Sequence, residues 1–257
     1  NVTLYQSKKG YTAFFSGANA LNEAKRFNKD ASLIERKEKE EYSYLSFNSQ
    51  IGSDEVGVGD LFLPLVVVAS YVKKENIQAL IDLGIKDSKK ISDEEIISIA
   101  PLLLHFVDYS KLTLQNEKYN ELIARGENLN SVKAKMHNKV LSNVIKRHKD
   151  VKEIYVDQFV NENKYYEYLK KEEEIIDNIE FKTKGESYYI CVAVSSIIAR
   201  YSLLIEKNKL EEKYKIVFPF GAGKKADLFI EEFLKRYPKD EIKKIAKSNF
   251  NNLKDFI

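Results

Sequence analysis

From Leu61 to Val72 the chain reads LFLPLVVVASYV, almost without a polar residue and rich in β-branched side chains. Such a run fits a pleated, buried surface and reads as a strand inside a covered sheet. A looser alternation from Phe47 to Ile51 reads as its partner, and GSDEVGVGD between them supplies a turn at Gly57 and Gly59. Asp54 and Glu55 therefore fall at a strand end beside a core. An ionised carboxylate is costly there unless a cation or several donors compensate it. No lysine or arginine stands nearby in sequence, so one reading is an oxygen-preferring metal ion, and the other is a turn and a helix cap. Successive strand side chains point to opposite faces, so both carboxylates serve one site only if the strand bends or ends. The two glycines permit that.

The length of 257 residues allows one large domain or a large and a small one. With 44% hydrophobic and 12% aromatic residues, there is enough material for a core, which predicts a folded protein. No stretch reaches the ~18 apolar residues of a membrane helix. The N-terminus NVTLYQSKKG lacks the apolar region of a signal peptide, and the chain reads as cytoplasmic. It begins without methionine, having only Met136, so its natural start is expected upstream. Cys191 is the sole cysteine and sits in an apolar run, which fits a small core residue and a reducing compartment. Three histidines without zinc-ligand spacing argue against structural zinc. Forty-two basic against 39 acidic residues neither demand nor exclude nucleic acid, since binding depends on a local basic surface.

Residues Val2 to Phe15 read as two short strands, VTLYQ and YTAFF, around a turn at Lys8 to Gly10. A helix follows from Asn19 to Phe27, with Ala20, Leu21, Ala24 and Phe27 on one face. The charged stretch to Tyr44 has no apolar period and reads as a linker or exposed helix, placing a boundary near Glu41. Residues 1–41 thus form a small N-terminal segment and 42–257 the main domain. Within the latter, a helix from Lys74 to Leu83 leads into IKDSKKIS, where Ser88, Lys86, Lys89 and Lys90 offer donors to a phosphate or simply a solvated loop. Ser92 and the acids behind it suit a helix start.

Phe106 to Leu114 reads as a strand and Ser131 to His148 as a long amphipathic helix, in which His137 reads either as a catalytic residue or, the favoured reading, as a satisfied, partly buried one. Strand EIYVDQF then ends in Asp157, the place where open α/β sheets put functional groups. After a strand from Asn178 to Thr183, Glu186 precedes a helix from Tyr188 to Glu206. Its charge also suits that helix's positive end. FPFGAGKKAD fails as a phosphate loop because Lys225, rather than serine or threonine, follows Lys224. Gly221 to Gly223 reads as a turn before a helix from Ala226 to Tyr237.

Taken in series, GSDEVGVGD, IKDSKKIS, MHNKVL, YVDQF, KGES with AVSSIIAR, and FPFGAGK closely resemble bacterial ribonuclease HIII over most of residues 47–250. The resemblance implies a ribonuclease H-like fold, a central mixed sheet flanked by helices. It implies an endonuclease that cuts the RNA strand of an RNA/DNA hybrid, leaving 3′-hydroxyl and 5′-phosphate ends. The family's four acids fall on Asp54, Glu55, Asp157 and Glu186, which would hold two Mg2+ or Mn2+ ions. Such ions, about 3.5 to 4 Å apart, activate water and stabilise the departing oxygen. The family's glycine loop falls on Gly57, Val58 and Gly59, with Ser88 and Lys89 as further substrate contacts. Two positions depart from the pattern, Val58 where threonine is expected and Leu63 where glycine is. The first 27 residues resemble the second half of the family's N-terminal substrate-binding domain, itself similar to a TATA-binding-protein repeat.

With no membrane-length apolar stretch, no membrane partner is expected, nor a required protein partner, and a monomer is expected. The neighbouring alternative is a ribonuclease HII-type enzyme; Glu186 in place of aspartate and the N-terminal strands and helix favour HIII. Other readings are a hybrid-binding protein that does not cleave and another two-metal nuclease on the same fold.

Overall fold

The computed structural model describes residues 2–7, 10–15, 19–31, 44–85 and 91–253. The chain divides into two compact units, Asn1–Ser43 and Tyr44–Ile257. In the first, β1 (Val2–Ser7) and β2 (Gly10–Phe15) pair antiparallel, with Val2 opposite Phe15, and α1 (Ala20–Phe27) follows. The expected apolar face of α1 is only partly realised. Ala20, Leu21 and Ala24 are half-buried, but Phe27 is 79% exposed, its ring 5.6 Å from that of Phe15. The charged stretch at 32–43 lies outside the described residues.

The second unit is built on a five-stranded mixed sheet. Strand β3 (Gln50–Val56) pairs antiparallel with β4 (Leu65–Val72), which pairs antiparallel with β5 (Asp108–Leu114). On its other side β3 pairs parallel with β6 (Glu153–Asp157), and β6 with β7 (Ile179–Lys182), giving the order β5-β4-β3-β6-β7. Around the sheet run α2 (Lys74–Asp82), α3 (Asp93–Leu103), α4 (Asn116–Ala124), α5 (Leu129–Ile145), α6 (Glu162–Leu169), α7 (Ile190–Tyr214), α8 (Lys224–Arg236) and α9 (Lys239–Ile245).

Local chemistry explains where these elements start. Ser92 accepts from Glu95 N while the Glu95 side chain returns to Ser92 N, a reciprocal cap worth about 1 kcal/mol that opens α3. Asn128 and Ser131 do the same for α5, which begins two residues earlier than periodicity alone indicates. The strand pair also differs at its edges from the sequence reading. Ser46 and Asn48 leave the ladder to donate to Glu153, at 2.5 and 2.6 Å, so β3 begins at Gln50 rather than Phe47. Leu61, Phe62 and Leu63 are buried as expected, yet they precede the strand: Pro64 has no N–H, and β4 starts at Leu65.

The period of two along β3 sorts its side chains between two helices on opposite faces. A Cβ on Gly52 would meet Cys191 Sγ at 2.5 Å and Val192 N at 2.8 Å, so α7 crosses directly over that face. Ser53 points the other way and bonds His137 Nδ1 of α5 at 2.7 Å. Between sheet and α5 lies a core of Ile51, Val67, Val140, Leu141, Val144 and Val156, each fully buried side chain contributing about 1.5–3 kcal/mol. On the other face α7 is buried almost all round its first three turns, which is why ICVAVSSIIA shows no amphipathic stripe.

Candidate active site

The parallel pairing of β3 with β6 sets Ser53 opposite Val156. The following residues, Asp54 and Asp157, thus lie side by side at the carboxyl ends of adjacent strands, where α/β sheets open a crevice. Asp54, Glu55, Gly57, Val58, Gly59 and Asp157 all line one cleft of about 600 Å³, with Asp60, Ile91, Asp93, Ser196 and Arg200 completing its wall. Ser88 and Lys89 lie outside the described residues.

Asp54 is only 6% exposed. Burial, then the negative charges of Glu55 and Asp157, push its carboxyl well above the ordinary carboxylate range, opposed by hydrogen bonds from Ser196 and from Glu55 N. The Glu55 N–H reaches Asp54 Oδ1 at 2.7 Å. Glu55 has the opposite character. Burial raises its carboxyl too, but His137 and Lys133 overcome that and bring it down to about 2. Lys133 Nζ lies 2.8 Å from Oε1 and His137 Nε2 2.9 Å from Oε2. The Phe159 ring covers both partners, 4.0 Å from Lys133 Nζ and stacked 5.2 Å from His137.

His137 is satisfied, as expected, but fully rather than partly buried, and it is held between Ser53 and the candidate acid Glu55. Lys133 is the residue that sequence reading missed. It lies nearly eighty residues from Glu55, and its only signal is its place one helical turn before His137 on α5.

Asp157 Oδ1 accepts the N–H of Gly185 at 2.9 Å. That bond ties the strand end to the short 3-10 turn Gly185–Ser187, entered through Lys184 at φ +58°, and so fixes the turn carrying Glu186. Glu186 is 1% exposed and does not line the cleft. The structure thus sets Asp54, Glu55 and Asp157 along one cleft and brings Glu186 to within one residue of an Asp157 contact. The donors are all oxygen, and burial, with the neighbouring charges of Glu55 and Asp157, opposes ionisation of Asp54, which a divalent cation would favour. They fit such an ion chemically. Among the described residues, however, no three acids or histidines already stand together as a ligand set, Glu55 being engaged by Lys133 and His137.

Gly57 has φ +89°, and a Cβ there would sit 2.1 Å from the Pro64 carbonyl oxygen, so no other residue fits. Val58 packs part of its side chain against the core cluster. On the far wall Arg200 is held by both Asp93 oxygens, at 2.8 and 2.9 Å, and its guanidinium lies 4.2 Å from the Phe220 ring. Asp60 Oδ1 accepts from Gly221 N at 2.5 Å, so the FPFGAGK turn braces the glycine loop.

Comparison with known proteins shows the family and the fold. A family model described as Ribonuclease HII matches residues 51–253. Ribonuclease HIII of Bacillus cereus is 38% identical over 262 aligned positions, covering 98% of this chain and 83% of the relative. The crystal structure of Bst-RNase HIII in complex with Mn2+ superposes with a TM-score of 0.79 at 32% identity, over 98% of this chain and 84% of that one. That of Aquifex aeolicus RNase H3 gives 0.64 at 25% identity, over 97% and 85%. The chain belongs to the ribonuclease HII family and, within it, to the ribonucleases HIII.

Proposed function

We propose that Asp54, Glu55, Asp157 and Glu186 carry the reaction of the family, hydrolysis of the RNA strand of an RNA/DNA hybrid by a metal-dependent endoribonuclease. The observation that carries this assignment is geometric: Asp54 and Asp157 stand at the ends of adjacent parallel strands and share with Glu55 one cleft bordered by the glycine loop. When bound, Mg2+ or Mn2+ supplies the positive charge that activates water and stabilises the leaving 3′ oxygen. Asp54 and Asp157 offer oxygens from adjacent strand ends, and Glu186 adds one from its turn. Glu55 joins them by releasing Lys133 and His137.

Gly57, Val58 and Gly59 present backbone close to the ribose and phosphates, where the 2′-hydroxyl distinguishes RNA from DNA. Recognition through backbone and groove shape gives little sequence preference. Ser88 and Lys89 serve as phosphate contacts. Residues 1–41 act as a partial substrate-binding segment ahead of the catalytic domain at 42–257. The enzyme works as a cytoplasmic monomer without a required protein partner; among the described residues no helix is long and apolar enough to cross a membrane.

The test is cleavage of an end-labelled RNA strand in a hybrid, with Mg2+, Mn2+ or chelator, by the chain and its Asp157→Asn variant. Internal cuts with 3′-hydroxyl ends, dependent on metal and lost in the variant, are expected. Full activity in the variant would remove Asp157 from the assignment, and binding without cleavage in either metal would overturn the nuclease reading.

A further inference from the structure

The residue immediately after α9 and Ala246 is a buried lysine that the chemistry above does not use. Lys247 is 1% exposed. Its Nζ donates to three main-chain carbonyls of a single loop, Gly57 at 2.5 Å, Asp60 at 2.6 Å and Leu63 at 2.6 Å. Its own backbone N–H bonds Leu61 O at 2.9 Å. An ammonium has three hydrogens and no acceptor, so the three carbonyls use its whole donor capacity. Burial lowers the amine to about 8, with Asp60 opposing, a cost accepted only where the acceptors are held in place.

The consequence follows from the planarity of the peptide bond. With no cis peptide among the described residues, each carbonyl turned towards Lys247 sends the next residue's N–H the opposite way. The Asp60–Leu61 plane bears this out: Leu61 N–H leaves the amine and donates to Gly221 O at 3.2 Å. After Leu63 comes Pro64, which has no N–H. The remaining plane is Gly57–Val58, and its N–H is aimed away from the buried amine at a residue that lines the cleft.

We propose that Lys247 is a positioning residue that fixes the glycine loop from below and aims the Val58 N–H at the sugar-phosphate backbone of the hybrid. The proposal rests on the assignment of Gly57 to Gly59 as the hybrid-contacting loop. A planar guanidinium cannot replace a tetrahedral ammonium among three convergent carbonyls, and an apolar side chain takes the ammonium donor from all three, leaving the Gly57 oxygen only the Asp60 N–H at 3.3 Å.

The experiment compares binding of an RNA/DNA hybrid and a DNA/DNA duplex of the same sequence by the Asp157→Asn chain, with and without Lys247→Met, alongside kcat and KM for Lys247→Met in the active chain. Expected is a KM for hybrid raised about tenfold, a smaller fall in kcat, and a preference for hybrid over DNA duplex reduced about tenfold. A lower melting temperature with KM and preference intact would overturn the proposal, leaving Lys247 as a stabilising residue only. If the Asp157→Asn chain itself shows no preference for hybrid, the loop assignment fails instead. Should Lys247→Met not fold, Lys247→Gln, which keeps two N–H donors on a shorter stem, takes its place: a raised KM with reduced preference supports the positioning role, and unchanged values overturn it.

Discussion

Asp54 and Glu55 are neighbours with opposite electrostatic situations, and this difference predicts opposite effects of neutralising them. Replacing Glu55 by glutamine leaves the Lys133 ammonium, whose side chain is 6% exposed, without its counter-charge. Breaking a buried pair on one side costs about 3–5 kcal/mol, and E55Q should melt markedly lower in chelator. Asp54→Asn removes a carboxyl whose burial and neighbouring acids oppose its charge, so in chelator its melting temperature should equal or exceed that of the parent. The pH dependence follows the same logic. Asp54 holds its proton more tightly folded than unfolded, so the metal-free protein loses this contribution as pH rises through the raised folded value. A divalent cation competes with that proton. The rise in melting temperature on adding Mn2+ should therefore grow as pH rises above the ordinary carboxylate range, and a constant increment would remove Asp54 from the ligands.

At the scale of elements, β3 is confined by α7 on one side and α5 on the other. Gly52→Ala drives a methyl into Cys191 Sγ and the Val192 backbone, and overpacking of this kind costs about 1–3 kcal/mol. Adding Cys191→Ala should recover only part of it, because Val192 N is main chain and cannot be trimmed; denaturant melts of the single and double variants measure this. The strands with strong β-branched runs, and the acids at their ends, are legible in the sequence for a physical reason. A strand buried on both faces leaves a continuous apolar signature, and a charged residue at its end stands out against it. Helices α4, α6 and α9 are not legible: they are short and rich in charged or polar residues, and their places come from long-range bonds such as Asn116 Nδ2 to Ile245 O. The partnership of Glu55 with Lys133 is hidden likewise, since a contact between a strand and a distant helix has no local pattern. Motif resemblance points to MHNKVL, but only the fold shows that this helix turn faces the acid.

For the whole molecule, the four candidate acids and the glycine loop all lie in the unit from Tyr44 onwards, which has its own core. The first 43 residues contain eight basic against six acidic side chains, so they hold two of the three net positive charges. A chain of residues 44–257 should fold and cleave, with a higher KM for hybrid and a shallower dependence of binding on salt. Equal salt slopes for the two forms would argue that the N-terminal unit makes no phosphate contacts. The Lys247 tripod adds a matter of timing. It joins residues 190, 187 and 184 positions apart, so the loop beside the first two acids waits for a segment synthesised much later. A polypeptide interrupted between Glu186 and Lys247 would possess every candidate metal ligand and still lack the anchor of its glycine loop. Frameshifts and premature stops in that interval should thus yield fragments that do not read RNA, and competence as a nuclease becomes a late event in the making of the chain.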